Sequence, residues 1–329
     1  MTQTAPRSHP VATAGANAAG QTAHTDPAVL DRALGALVGL AVGDALGTTI
    51  EFKERDTYPH VTGMVGGGPF RLKPGEWTDD TAMALCLADS LIASDGVLDP
   101  HDLASRFVRW WDKGENSVNG YCFDIGIATS QALHGFKTTG KPTGSTDPRS
   151  AGNGGIMRLA PAVLAARGDR DRAVDLARLQ SLVTHAAAEC LDAADVLARV
   201  LHAGIAGEGH DALDAAAQAG VPSAKVHAIA TGSWRGKSRP SIRSGGYVVD
   251  TLEAALWAVG TSGGFAEAVL KAVNLGHDAD TVGAVAGQVA GAVWGYEAIP
   301  QEWRATLAWH DAIAARGRRL WGDDTKGEA

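Results

Sequence analysis

Residues 75–85 read GEWTDDTAMAL, and their pattern predicts the start of a helix. Thr78 is followed at once by two carboxylates, Asp79 and Asp80, and then by apolar residues at helical spacing. A threonine can cap the free N–H groups of a helix, and one acid in the first turn gains about 0.3–1 kcal/mol from the helix dipole. Neither helix capping nor the helix dipole explains a second acid at the same helix start. A well-capped, solvated helix start and a ligand site both remain open for this stretch alone.

A second stretch, GHDADT at residues 276–281, has the same chemistry. Asp278 and Asp280 flank a small residue, and Thr281 follows them, ahead of another long apolar segment. If the two stretches converge, each close pair of carboxylates repels by about 1 kcal/mol at 4 Å in water and about 4 kcal/mol near a protein surface. A bound cation relieves that repulsion. Since the candidate ligands are all oxygens, the pattern favours Mg²⁺, Mn²⁺ or Ca²⁺ over Zn²⁺.

The composition indicates a helical core built from small residues. The chain has 329 residues, of which 45% are hydrophobic and 6% aromatic, so it is long enough for one large domain or two small ones. Its 41 glycines and many alanine runs favour closely packed helices over a sheet of β-branched residues. A net charge of −8 argues against bulk binding to nucleic acid.

The ends of the chain differ from its middle. Residues 1–25 are polar and lack the apolar core of a signal peptide, so we expect a disordered tail, followed by one domain over 26–323 and a flexible end over 324–329. No uncharged apolar run reaches the roughly 20 residues of a membrane span, and we expect no membrane association. Three scattered cysteines argue against a disulfide framework and predict a reducing compartment, the cytoplasm.

Two long predicted helices carry glycine at every fourth position. Asp26 and Pro27 form the start signal of the first helix. A glycine inside a helix costs about 1 kcal/mol relative to alanine, so a repeated series is best explained by another backbone lying against it. The two series predict that these helices pack directly on each other. They are Gly35, Gly39, Gly43 and Gly47, and Gly283, Gly287, Gly291 and Gly295.

Other candidate residues are single acids in apolar surroundings. Asp44 and Glu51 follow the apolar part of the first helix, and an isolated glutamate there is commonly a surface residue. Asp124 lies among apolar residues at a predicted helix start, where N-capping explains it equally well.

Three further features suit a ligand. The Gly-rich stretch at residues 152–155 leads into an apolar run, and its N–H groups suit phosphate oxygens, although the Lys-Ser/Thr ending of a P-loop is missing. His185 stands at the start of another predicted helix. Tyr247, beside two glycines, is a candidate platform for a planar ring, while a partly buried tyrosine is the ordinary alternative.

Almost every segment has helical periodicity, and no series of strands is apparent. We therefore expect an all-α fold: one compact, orthogonal helical domain of roughly ten or more helices.

Seven motifs resemble the ADP-ribosylglycohydrolase family, and their order and spacing match that family from about residue 31 to residue 300. In particular they are similar to those of the bacterial dinitrogenase reductase-activating glycohydrolases, which remove ADP-ribose from an arginine side chain. The motifs read GDALGTTIEF, GEWTDDTAMAL, CFDIG, GNGGIMRLAP, THAAAECLDAA, GGYVVDTLEAAL and NLGHDADTVGAVAGQVAG.

The resemblance implies two Mg²⁺ or Mn²⁺ ions on an all-α fold. The implied metal ligands are Thr78, Asp79, Asp80, Asp278, Asp280 and Thr281. Glu51 matches a carboxylate that positions or activates water, and Asp124 matches an acid that contacts the ribose and the leaving guanidinium. The implied substrate-binding residues are Gly152, Asn153, Gly154, Gly155, Met157, His185, Gly246 and Tyr247.

The activity implied is metal-dependent hydrolysis of the N-glycosidic bond between ADP-ribose and an arginine side chain. The expected partner is an ADP-ribosylated protein, with arginine-linked ADP-ribose preferred, and the expected state is a monomer. Three alternatives stay open: a glycohydrolase for serine-linked, nucleobase-linked or O-acetyl-ADP-ribose, a metal-dependent phosphohydrolase, and an inactive ADP-ribose-binding relative. The presence of all the acids counts against the last.

Overall fold

The structure is a computed structural model, and it describes residues 26–323. The predicted tail at 1–25 and the predicted flexible end at 324–329 lie outside the described residues. The helices are α1 Pro27–Gly47, α2 Asp79–Ala93, α3 Pro100–Lys113, α4 Ile127–Thr139, α5 Gly154–Met157, α6 Ala160–Ala165, α7 Arg170–Leu182, α8 Ala188–Ala206, α9 Ala224–Ala230, α10 Val248–Gly260, α11 Phe265–Val273, α12 Ala279–Trp294, α13 Gln301–Thr306 and α14 His310–Trp321.

The expected all-α class is confirmed. Between residues 26 and 323 no strand forms, and β-type pairing is limited to isolated bridges such as Gly152 with Tyr247. Short 3₁₀ helices fill several connections, at Thr48–Ile50, Pro148–Ser150, Gly209–Ala219 and Arg239–Ser241.

The two glycine-bearing helices, α1 and α12, pack directly on each other, as predicted. A Cβ atom built on Gly39 would lie 2.3 Å from the carbonyl oxygen of Gly287, and one built on Gly287 would lie 2.0 Å from that of Gly39. Gly43 and Gly283 face each other in the same way. A Cβ atom on Gly43 would lie 2.0 Å from the carbonyl oxygen of Gly283, and one on Gly283 would lie 2.5 Å from that of Gly43. Only glycine allows backbones to approach this closely. The α1–α12 seam therefore forms the centre of the fold.

Helix α1 begins as predicted, because the Asp26 carboxylate accepts a hydrogen bond from the N–H of Ala28 at 2.9 Å, with Pro27 in the first turn. With its 3₁₀ extension it covers the 24 residues Pro27–Ile50, and an 18-residue window of this segment has a mean hydropathy of 1.6, so the segment is long and apolar enough to cross a membrane. However, 94% of this apolar window is buried inside the protein. Such burial is typical of a core helix, and apolar composition alone is weak support for a membrane span.

One cluster of buried apolar side chains extends from Ala33 near the start of α1 to Trp321 at the end of α14. It is dominated by alanine, valine and leucine, in agreement with the composition. Cys86 and Cys190 are buried in it as free thiols, and Cys122 is a half-buried free thiol. The packing brings the N-termini of α2 and α12 together, and these two ends carry the acidic stretches.

Candidate active site

The start of α2 is capped by a residue of another helix. Thr78 occupies the N-cap position but makes no side-chain capping bond, so the capping role expected for it is wrong. Asp44, from the last turn of α1, accepts hydrogen bonds from the N–H groups of Thr78 at 2.9 Å and Thr81 at 3.0 Å. It also accepts from both hydroxyls, at 2.9 Å and 2.6 Å. Asp44 thus saturates its own acceptors and fixes the α2 terminus to α1.

This capping leaves the oxygen of Thr78 directed at other carboxylates. The hydroxyl has one proton, which the closer Asp44 accepts. The same oxygen lies 3.3 Å from Oδ2 of Asp280 and 3.5 Å from Oδ2 of Asp80. Thr281 Oγ1 lies 3.4 Å from Oδ2 of Asp80. The two acidic stretches, about two hundred residues apart in sequence, therefore converge as expected.

Glu51 and Asp124 join this cluster from two loops. One carboxylate oxygen from each, together with one from Asp280, lie within 4.8 Å of one another, a spacing that a metal ion can bridge. Asp124 does not start a helix, because α4 begins three residues later at Ile127, and it has a left-handed backbone with φ of 55°. That conformation is uncommon outside glycine. It directs the Asp124 side chain to the cluster instead of to a helix terminus.

Neighbouring left-handed residues fix the Glu51 loop to the second acidic stretch. Phe52 has φ of 61° and His277 has φ of 59°. The N–H of Phe52 donates to the carbonyl of His277 at 2.7 Å, and the N–H of His277 donates to the carbonyl of Lys53 at 2.7 Å. This reciprocal pair holds Glu51 and Asp278 at one edge of the same opening.

The carboxylates line a cavity of about 700 Å³. Its wall also contains the Gly-rich stretch before α5, the two glycines before α10, and Ile127 at the start of α4. The predicted site residues that line it are Glu51, Asp79, Asp124, Gly152, Asn153, Gly154, Met157, His185, Gly246, Asp278, Asp280 and Thr281. Thr78 and Asp80 lie behind this wall and reach it through their contacts with Asp280 and Thr281.

Two predicted substrate-binding residues lie outside the cavity. A Cβ atom on Gly155 would meet Oγ of Ser181 at 2.2 Å, so this glycine serves helix packing. Tyr247 lines an adjoining groove of about 410 Å³ that shares Gly152 and Gly246 with the cavity. Its hydroxyl donates to Glu189 at 2.5 Å and accepts from Lys225 at 2.8 Å.

The buried carboxylates of the cluster, which form no ion pair within residues 26–323, have strongly raised pKa values. Burial, followed by the charges of Asp124 and Asp278, raises the pKa of Glu51 to about 9. Burial and the charge of Asp278 raise the pKa of Asp124 to about 7. Burial first, and neighbouring carboxylates second, also hold the pKa values of Asp79, Asp80 and Asp280 well above their ordinary range. Without a cation, these groups keep protons.

The oxygens that lack partners test whether a cation fits. Within residues 26–323, Oε2 of Glu51, Oδ1 of Asp80 and Oδ1 of Asp280 are buried and accept no hydrogen bond. A buried acceptor without a partner costs about 1–3 kcal/mol, and more when it is charged. Oxygen-only donors in this arrangement suit a hard divalent cation. The cluster therefore fits a divalent metal, and Glu51 and Asp124 belong to it as much as the residues expected to be ligands.

Asn153 orients one of the acids at the cavity wall. Its amide donates to Oδ2 of Asp278 at 2.7 Å and to Oγ1 of Thr251 at 2.9 Å. Its own N–H donates to the carbonyl of Gly246 at 3.2 Å. Asn153 is thus a link between the Gly-rich stretch and the second acidic stretch, in addition to any contact with a ligand.

Some residues of the site were not found from the sequence. The sequence shows Asp44 only as an acid after the apolar part of the first helix, whereas in the structure it holds Thr78 and Thr81. The available signal was a carboxylate inside an otherwise apolar helical pattern. Phe52 and His277 gave no sufficient signal, because the left-handed backbone at each residue depends on the hydrogen bonds between the two loops.

The family assignment follows from comparison with known proteins. The sequence model of the ADP-ribosylglycohydrolase family matches residues 25–329. The chain belongs to the ADP-ribosylglycohydrolase family. A solved structure described as an ADP-ribosylglycohydrolase-related protein complex superposes with a TM-score of 0.79 at 41% identity, covering 90% of this chain and 99% of the other.

The chain is also similar to individual named proteins of this family. The chain is 49% identical to a protein of Pseudomonas putida (strain GB-1) named ADP-ribosylarginine hydrolase Tri1, over 90% of this chain and 80% of the relative. It is 46% identical to a protein of the same name from Serratia proteamaculans (strain 568), over 89% and 79%. It is 36% identical to the ADP-ribosyl-[dinitrogen reductase] glycohydrolase of Rhodospirillum rubrum, over 86% and 92%.

Proposed function

We propose that this family member hydrolyses the bond between ADP-ribose and an arginine side chain of a modified protein, using two divalent cations, Mg²⁺ or Mn²⁺. The observation that supports it most is the convergence of buried carboxylates with unpartnered oxygens on one cavity. The names of the relatives at 49% and 46% identity agree with the arginine linkage.

In the proposed reaction, the bond between C1″ of the ribose and a guanidino nitrogen breaks. The oxygen of a water molecule bonds to C1″, and one proton of the water ends on the leaving guanidine. A bound divalent cation supplies positive charge for the ribose hydroxyls and for the charge that develops in the transition state. We assign to Glu51 the uptake of the proton of the water, because its side chain lines the cavity and a bound cation would favour the ionised form that acts as a base.

Asp124 is the group that favours arginine. A guanidinium is permanently charged and pairs with a carboxylate through two parallel hydrogen bonds. Asp124 lies at the cavity wall beside Glu51 and has no cationic residue as a partner among the hydrogen bonds and ion pairs of residues 26–323. A neutral seryl oxygen would gain less from the same acid.

The test compares ADP-ribosyl peptides linked through arginine and through serine, with Mg²⁺ or with a chelator, using mass spectrometry. We expect faster cleavage of the arginine linkage, intact ADP-ribose as the product, and no turnover in chelator. Asp124→Asn should reduce the preference for arginine. Faster cleavage of the serine linkage by wild type would reassign the substrate, while release of AMP would indicate a phosphohydrolase.

We further propose that the protein is a monomer, that it is located in the reducing cytoplasm and that it is not attached to a membrane. The three free thiols support the reducing compartment, and the burial of α1 supports the absence of a membrane span. Size-exclusion chromatography with light scattering checks the oligomeric state, and cell fractionation checks the location.

A further inference from the structure

A fully buried arginine lies behind the Gly-rich wall of the cavity. Arg158, directly after α5, has 0% exposure and is stacked over the ring of Phe107 at 4.6 Å. Its Nε donates to Oε1 of Gln180 at 2.9 Å, and one terminal nitrogen donates to the carbonyl of Gln180 at 3.1 Å. The same nitrogen donates to Oγ1 of Thr184 at 2.7 Å. The guanidinium is therefore held on three sides in one orientation.

The hydrogen bond from Arg158 to Thr184 helps to fix the direction of the hydrogen bond between Thr184 and His185. A guanidinium has donors and no acceptor, so Oγ1 of Thr184 must accept from it. Oγ1 of Thr184 also lies 2.8 Å from Nδ1 of His185. A hydroxyl oxygen has two lone pairs, so Oγ1 could also accept from an N–H at Nδ1, but the buried hydroxyl proton would then have no acceptor among the described residues. The proton is paired only if it points to Nδ1. Nδ1 of His185 then accepts, and the proton of a neutral imidazole is on Nε2.

The imidazole is fixed at the cavity wall by glycines and by its own backbone. A Cβ atom on Gly154 would lie 2.5 Å from Cε1 of His185, and one on Gly152 would lie 3.1 Å from Nε2. The backbone N–H of His185 donates to the carbonyl of Ser181 at 2.7 Å, and the Ser181 hydroxyl donates to the carbonyl of His185 at 2.9 Å. In the part of the chain between residues 26 and 323, no group is hydrogen-bonded to Nε2.

We propose that Arg158 and Thr184 fix His185 as the neutral tautomer protonated at Nε2, which then donates a hydrogen bond to an oxygen of the bound ADP-ribosyl group. The identity of that ligand rests on the proposed function, whereas the tautomer does not. His185 is a binding residue in this arrangement, and Arg158 and Thr184 are positioning residues. The sequence pattern had placed His185 at a helix start, but α8 begins three residues later, at Ala188.

The electrostatic setting agrees with the geometry. Burial, followed by the charge of Arg158, lowers the pKa of His185 to about 3, so the ring is neutral near pH 7. A neutral imidazole can donate a hydrogen bond from Nε2 to a phosphate or ribose oxygen without transferring a proton to that oxygen. General acid and base catalysis is therefore assigned to the carboxylates across the cavity.

The test uses Thr184→Val, which removes the relay with little change in shape, and Thr184→Ser, which keeps the hydroxyl. Nitrogen NMR of protein labelled in histidine reads the tautomer without ligand, and calorimetry measures the affinity for ADP-ribose. We expect a single Nε2-protonated form in wild type and in Thr184→Ser. We expect mixed tautomers in Thr184→Val, with the affinity for ADP-ribose lowered in proportion to the fraction that keeps the proton on Nε2, about twofold for an even mixture.

A wild-type spectrum with the proton on Nδ1 would overturn the proposal even if Thr184→Val did not fold. Equal affinity for ADP-ribose in a folded Thr184→Val protein with mixed tautomers would also overturn it. Wild type that shows the Nε2 tautomer but does not bind ADP-ribose would contradict the ligand and the proposed function together. Wild type that binds ADP-ribose but does not cleave the arginine linkage would contradict the proposed function alone.

Discussion

The α1–α12 seam and the acid cluster both consist of residues that are unfavourable in isolation. In the seam, each glycine that weakens its helix allows a backbone contact, for example Gly39 against Gly287. The loss of about 1 kcal/mol per glycine is compensated within the fold by packing. In the acid cluster, by contrast, Glu51, Asp80 and Asp280 keep buried oxygens that accept no hydrogen bond from the described residues.

The difference separates structural from functional residues. Residues that are unfavourable by themselves but are stabilised by their neighbours, such as the glycines of the seam, determine the fold. Buried polar residues that no neighbour stabilises, such as the acids of the cluster, indicate a ligand that is not part of the chain. Asp44 shows that the distinction is made residue by residue, since it is equally buried but accepts four hydrogen bonds from Thr78 and Thr81. It is part of the framework, although it lies beside the cluster.

The largest expected effect comes from removing one uncompensated acid. Asp280→Asn should lower turnover of arginine-linked ADP-ribose by about a hundredfold or more, because removing even an outer partner of a metal ligand costs 10–100-fold. It should also abolish the rise in melting temperature that Mg²⁺ or Mn²⁺ gives to wild type, since a ligand that binds the folded state stabilises it. Kinetics and thermal melts measure the two effects on the same protein.

Asp175→Asn is the matched control, because this exposed acid of α7 is not among the residues that line the cavity. It should leave both the turnover and the metal response unchanged. Full turnover of Asp280→Asn in chelator would show that the cluster does not work through a metal.

The next largest effect tests the compensated region. Gly39→Ala would place a Cβ atom 2.3 Å from the carbonyl oxygen of Gly287, on a rigid backbone. We expect a loss of about 1–3 kcal/mol or more in the free energy of unfolding, from overpacking, with loss of activity only as far as the protein unfolds. Denaturant titration followed by circular dichroism gives this value.

Gly135→Ala is the control for the seam, because Gly135 lies inside α4 and a Cβ atom there meets nothing within 4 Å. The same substitution should stabilise the protein by roughly 0.5–1 kcal/mol, from helix propensity alone. Equal effects of the two substitutions would mean that the seam is not the close backbone contact described here.

The parts of the molecule that were predicted from the sequence are those with a periodic or repeated signal. The glycine series specify the contact of α1 with α12, and the paired acid-hydroxyl stretches specify the convergence of Asp80 with Asp280. Asp26 with Pro27 marks the start of α1 correctly. In each case the signal lies in a few consecutive residues at or within a helix, and where two helices meet, the same short pattern recurs in both.

The remaining features depend on contacts between segments or on single backbone angles. Asp44 caps the start of α2 through Thr78, 34 residues later in the chain, so no local pattern shows its role. Asp124 was assigned to a helix start because a capped helix is the common arrangement, whereas its φ of 55° is a property of the loop in its tertiary setting. Likewise, the path from Arg158 through Thr184 to His185 requires three-dimensional distances.

The smallest expected effect is a decline in stability with rising pH in the absence of metal. Ordinary pKa values of 4.5 for Glu51 and 3.8 for Asp124 rise to about 9 and about 7 in the folded chain. The folded state therefore binds more protons than the unfolded state, and its stability falls as pH rises through these values. His185 has the opposite sign, because its pKa falls from 6.5 to about 3, but its contribution is complete above pH 6.5.

The acids thus dominate between about pH 6.5 and pH 9, the window given by these values. In chelator, the melting temperature should decline across this window, and Glu51→Gln should reduce the decline in its upper half. With Mg²⁺ the decline should shrink or reverse, because the metal needs ionised ligands and binds more tightly as they lose protons. Thermal melts in matched buffers, with chelator or with Mg²⁺, check this. A chelated protein that becomes more stable from pH 6.5 to pH 9 would mean that the carboxylates are compensated within the chain, as the glycines of the seam are.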